Sequence, residues 1–147
     1  MARPENVVPL RPRRRPQNRR FDLKAPRSQV LLVHGLTLAT FALHLVGAGA
    51  LRYVAIALGV AAVAIAAARR QEGMPWACTH HEYGLRTLVF GAVASILVSL
   101  LTLAPGLGPY AVYAGLGVLF WVGLRTLWGF GRGLLRLPMV RPRSPLF

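Results

Sequence analysis

The side chains able to ligate a metal, attack a substrate or exchange protons are few, and they are clustered. The chain has four histidines, one cysteine and four acidic residues, and the stretch from Arg69 to Thr87, RRQEGMPWACTHHEYGLRT, holds two of the histidines, the cysteine and two of the acids. Cys78, His80, His81 and Glu82 are metal-ligand types. Adjacent histidines on a helix nevertheless point about 100° apart, and no second ligand pair at a familiar spacing accompanies them, so no metal is expected. His34 and His44 share one helix face, whereas axial ligands to a haem approach from opposite sides. A lone Cys78 cannot close a disulfide within the chain. No inward carboxylate pair, glycine-rich phosphate loop or Ser-His-Asp set can be nominated, so the expectation is a non-enzymatic protein without catalytic residues or cofactors.

What remains is a polar cluster in an apolar chain. His34 and Arg125 both fall inside long apolar runs, where an ionisable residue costs about 2.5–3.5 kcal/mol and therefore tends to face other helices. Each sits about 6–7 Å, at 1.5 Å per residue, from the end of its run nearest Arg69–Thr87. His34, Thr37, Thr40 and His44 fall within an arc of about 120° on a helix, which marks that face as the inner one. Arg125 shares a stripe with Gly117, Trp121, Trp128, Arg132 and Arg136. The expected site is a cytoplasm-facing polar cavity or partner contact built from His34, His80, His81, Glu82, Arg86 and Arg125, with Glu82 neutralising an arginine of that stripe. The competing reading makes the same residues headgroup-level anchors, with Arg125 snorkelling to the surface.

The elements that must position this cluster are membrane helices. The 147 residues are 54% hydrophobic, yet the formal charge is +14, a pairing unusual in a soluble domain. The two properties are segregated: residues 1–28 hold nine of the eighteen Lys and Arg, and residues 30–51 hold no charge. A high pI can signal nucleic acid, but no basic face sits on a soluble core, so no nucleic-acid partner is expected. The fold class expected is all-α and integral to the membrane, with four transmembrane helices in two antiparallel hairpins. Residues 1–28 form a disordered Arg/Pro-rich arm, 29–68 the first hairpin, 69–87 a polar loop, 88–131 the second hairpin and 132–147 a basic tail. Short links near Arg52 and at Pro105-Gly106-Leu107-Gly108-Pro109 turn each hairpin. A twin-arginine export signal at Asn18–Lys24 is the rival reading of the arm; Asp22 stands where that motif prefers an apolar residue, and more membrane follows.

Charge chooses the orientation. Seventeen of the eighteen Lys and Arg lie on one side of the expected spans and only Arg52 on the other, which places both termini and the 69–87 loop in the cytoplasm. Anionic lipid headgroups would attract the arm. Helix packing is expected along Ala57, Ala61 and Ala64 in the second span, and along Gly91, Ser95 and Ser99 in the third, flanked by Thr87 and Thr102, because small residues let membrane helices approach.

The second half also resembles a known family. His81-x-x-x-x-Arg86-Thr87 before a span, Trp121-x-x-x-Arg125-x-x-x-Gly129 in the next, then Leu135 and Pro138-Met139, are similar to small bacterial inner-membrane proteins. These are distantly like the Tic-type four-helix proteins of the chloroplast inner-envelope import apparatus. The resemblance covers about residues 79–145 and implies a four-helix bundle in a bacterial inner (plasma) membrane, with His81, Arg86, Trp121 and Arg125 as characteristic positions. The function expected is an accessory or assembly subunit that contacts other membrane subunits or self-associates; the alternative is a small oligomeric transporter or translocation component. Continuity of the third span's Ser/Thr stripe with His34 and His44 across a cavity would favour transport.

Overall fold

The computed structural model describes residues 24–46, 49–71 and 73–144. Among them are four α-helices and no strand: α1 Pro26–Val46, α2 Ala50–Arg69, α3 Pro75–Leu101 and α4 Gly108–Leu134. The helices α2, α3 and α4 are long and apolar enough to cross a membrane. The expected arm lies outside the described residues up to position 23, as does the twin-arginine motif but for Lys24.

Glycine and proline mark the connections between helices. Gly49 turns α1 into α2 at φ 59°, and Gly106 turns α3 into α4 at φ 79°, a conformation that glycine adopts without a Cβ penalty. Pro75 and Pro109 each occupy the first turn of a helix, where a missing N–H costs nothing.

The burial pattern is that of a protein whose solvent is apolar. Tyr53, Val60, Ile96, Leu103, Val112 and Phe120 are exposed, whereas His34, Thr37, His80, His81, Thr87 and Arg125 are buried. A protein in water inverts this.

The helices form a four-membered bundle in which α1 packs against all three others and α3 closes the shorter diagonal; α2 and α4 lie across from each other. The close approaches depend on glycine. A Cβ on Gly129 would lie 2.5 Å from the His34 ring, one on Gly133 2.9 Å from Val30, and one on Gly91 2.7 Å from Phe41. Thus α1 lies directly on the backbones of α3 and α4, the geometry that small residues permit in membranes.

Two expectations need correction. The polar stretch 69–87 is not a loop throughout: of its described residues only 70, 71, 73 and 74 lie outside helices, and α3 begins at Pro75, because its polar residues occupy a helix face that meets α1 and α4. The packing alanines of α2 are Ala55, Ala62 and Ala66. Ala57 and Ala64 are exposed and Ala61 half-buried; alanine occurs on every side of this helix, so composition selects no face. In α3, Gly91 is buried, Ser95 half-buried and Ser99 exposed.

Candidate functional site: a buried polar core

At the end of the bundle where α1 and α3 begin and α4 ends, polar side chains from three helices meet. On α3, Ala77, His80, Gly84, Thr87 and Gly91 are all buried and recur at spacings of three and four, one continuous inner stripe. His34 is delivered by α1, and Gly129 of α4 provides the flat backbone against which its ring lies.

The first half of the core is a directed hydrogen-bond chain. His34 Nε2 and His80 Nδ1 are 3.2 Å apart, and His80 Nε2 is 2.8 Å from the carbonyl oxygen of Leu137. A carbonyl only accepts, so His80 Nε2 carries a proton and donates. In neutral His80 the other nitrogen, Nδ1, is then an acceptor, and His34 Nε2–H donates to it. The two rings meet edge to face, with centroids 5.5 Å apart, and Trp76 stacks on His80 in the same manner at 5.9 Å.

The second half is built around Arg125, which is fully buried. Its guanidinium lies 4.0 Å from the centroid of the Tyr83 ring and 5.5 Å from that of Trp121. Its Nε donates to Thr87 Oγ1 at 2.8 Å, while the Thr87 hydroxyl donates to the Tyr83 carbonyl at 2.8 Å. The Tyr83 hydroxyl in turn donates to the Arg125 carbonyl at 3.0 Å. Aromatic faces and oriented dipoles therefore carry much of the interaction with the cation. His81 is equally buried, and its Nδ1 has no hydrogen-bond partner among the described residues.

Of the six residues expected at the site, His34, His80, His81 and Arg125 are buried at this end, while Glu82 and Arg86 are half-buried and bridge to each other at 2.7 Å. Glu82 thus pairs one helical turn along α3, at the (i, i+4) spacing that suits such pairs, and not with the Arg125 stripe. His44, expected on the inner face, is exposed. The Ser/Thr stripe of α3 turns outward after Gly91: Ser99 and Thr102 are exposed, and each hydroxyl bonds back to its own helix.

One component escaped the sequence reading as part of the site. Residues 136–139 fold back as a strap over the start of α3. Arg136 turns the chain at φ 57°, the Leu137 carbonyl accepts from His80, the Pro138 carbonyl accepts from Arg132 at 2.6 Å, and the Met139 N–H donates to Thr79 Oγ1 at 3.0 Å. Met139 is 95% buried by this fold-back. An apolar Pro138-Met139 among basic tail residues was the available signal.

Among the described residues no three His, Cys, Asp or Glu side chains converge as a metal site requires. The arrangement ties α1, α3, α4 and the strap together through buried polar contacts, which fix helix register more tightly than apolar packing does. No family model, curated protein or solved structure matches this chain.

Proposed function

We propose that this chain is a non-enzymatic, multi-pass subunit of a bacterial inner-membrane assembly, with four spans and its polar core at the cytoplasmic end. In this reading α1 is the fourth span, protected by the other three. The observation that carries the subunit role is a groove of about 570 Å³ on the outer face of α3 and α4, lined among others by Phe90, Ala94, Leu97, Ala114, Gly117 and Trp121. It contains small residues on both walls and no charged one, the surface that a further membrane helix fits. The polar core, by contrast, is spent on holding the chain's own helices together. Transport is the weaker reading, because the stripe leaves the core after Gly91: Ser99, Thr102 and His44 are exposed.

Length supports the orientation. At 1.5 Å per residue the 27 residues of α3 span about 40 Å against a hydrocarbon layer of about 30 Å. The surplus of about 10 Å, or about seven residues, matches the first turns of α3, which carry His80 and His81, at the end where the basic residues gather. Reporter fusions after Arg52 and after Gly108 should read the outer side, and a cytoplasmic signal from either refutes the topology. For the subunit role, the full chain is purified in mild detergent with Ala94→Leu and Ala114→Leu variants that fill the groove. Co-purification of another chain, or self-association, should be lost in both variants. A lone monomer already in the parent chain rejects the proposal.

A further inference from the structure

A second groove, of about 420 Å³, lies between α1 and α2. Its floor is apolar, made by Leu32 of α1 with Ala64, Ile65 and Ala68 of α2, and it is completed by Gln29 and Arg69. Ala64 and Ala68 sit one turn apart and are exposed, so the slot exists because neither side chain extends beyond Cβ. Ala64 and Ala68 thus floor the groove, whereas Ala55, Ala62 and Ala66 are buried in the bundle.

Charge distinguishes this groove from the one on α3 and α4. Arg69 lines it directly. Lys24 and Arg27, at the start of α1, and Arg70, just past the end of α2, are all exposed at the same end of the antiparallel pair. An apolar slot leading to a guanidinium complements a molecule with a long apolar tail and an anionic head. Arginine is the side chain best suited to that head, because its planar fork matches a phosphate with two donors.

We propose that the α1–α2 groove binds one anionic phospholipid. Its acyl chain lies along Leu32, Ala64 and Ala68, and its phosphate accepts from the Arg69 guanidinium and the Gln29 amide. This rests on the membrane orientation proposed above, which puts Arg69 at headgroup level.

The test is a titration of the full chain in mild detergent with dioleoylphosphatidylglycerol and, in parallel, dioleoylphosphatidylcholine, counting bound lipids by native mass spectrometry. The parent chain should prefer the anionic lipid. Arg69→Gln should weaken that lipid about tenfold or more, the worth of a charge-assisted hydrogen bond, whereas Arg70→Gln, which lines no part of the slot, should weaken it by no more than about fivefold through diffuse attraction. Ala68→Phe and Ala64→Leu, exposed positions whose folding is checked by circular dichroism, should each weaken both lipids by filling the slot. Equal losses in Arg69→Gln and Arg70→Gln would reveal diffuse attraction and overturn the site. So would undiminished lipid binding in both slot-filling variants, or loss of a co-purifying protein in them with lipid binding intact. Alkaline extraction of the same chain separates the two readings: release from membranes removes the orientation itself, whereas retention without lipid preference removes only the groove.

Discussion

Replacing Gly129 by alanine isolates the contact on which the polar core rests. The new Cβ would stand 2.5 Å from His34 Cε1, 2.9 Å from Nε2 and 3.1 Å from Nδ1, so the ring must retreat by about 1 Å to reach ordinary contact distance. His34 Nε2 already sits 3.2 Å from His80 Nδ1, and a retreat of that size takes the pair beyond hydrogen-bond range. Overpacking costs about 1–3 kcal/mol and a buried imidazole nitrogen losing its donor about 1–3 more, while alanine returns about 1 kcal/mol in helix propensity. The net expectation is a destabilisation of about 3 kcal/mol. Gly123→Ala is the matched control, on the same helix with nothing within 4 Å of its Cβ; it should be neutral or stabilising by up to about 1 kcal/mol. Both are measured by SDS titration of the full chain in mixed micelles, followed by circular dichroism. In a His34→Ala background the clash vanishes, so Gly129→Ala should then cost about as little as the control. Equal costs for Gly129→Ala and Gly123→Ala, or a Gly129→Ala cost that persists without His34, refute the reasoning.

The same titration applies to the cation. Arg125→Ala should cost about 2–4 kcal/mol, since it empties a fully buried site and removes the donor to Thr87, whereas Arg132→Ala, half-buried with its carbonyl contact exposed, should cost less than about 1 kcal/mol. Equal costs would favour a snorkelling arginine. Tyr83→Phe keeps the ring under the guanidinium and deletes only the hydroxyl bond to the Arg125 carbonyl, so it should cost about 1 kcal/mol. In a Cys78→Ala background, Met139→Cys should resist a water-soluble maleimide while the strap is closed; Thr79→Val, which removes the acceptor for the Met139 N–H, should raise the labelling rate about fivefold. Rapid labelling without Thr79→Val would mean that the strap is not held.

Much of the helical plan is legible in the sequence. The apolar runs, the Pro105–Pro109 break and the bias of basic residues are local patterns, and α2, α4 and the later part of α3 follow them. The start of α3 was hidden because His80, His81, Glu82 and Arg86 read as loop composition. The decisive pattern was present: the stripe from Thr87 through Gly91 continues backward through Gly84 and His80 at helical spacing. Burial of His34 and Arg125 could be anticipated from the cost of charge at their depth. Their actual partners could not, because Gly129 under His34 and Tyr83 under Arg125 are contacts between helices far apart in sequence. The strap was less legible still, since it depends on the Thr79 hydroxyl, one imidazole nitrogen and the Arg132 guanidinium, which carry no periodicity.

The seating of His34 on Gly129 also bears on the order in which the chain can mature. Synthesis delivers α1 before α3 and α4, yet the surfaces that receive its His34 belong to those later helices, at Gly84 and Gly129. Until those arrive, the His34 imidazole lacks its His80 partner, whereas the Thr37 and Thr40 hydroxyls are already satisfied by carbonyls of α1 itself. α1, made before α3 and α4, is completed only after them, and the interval between is the stage at which the polar core is most open to misassembly.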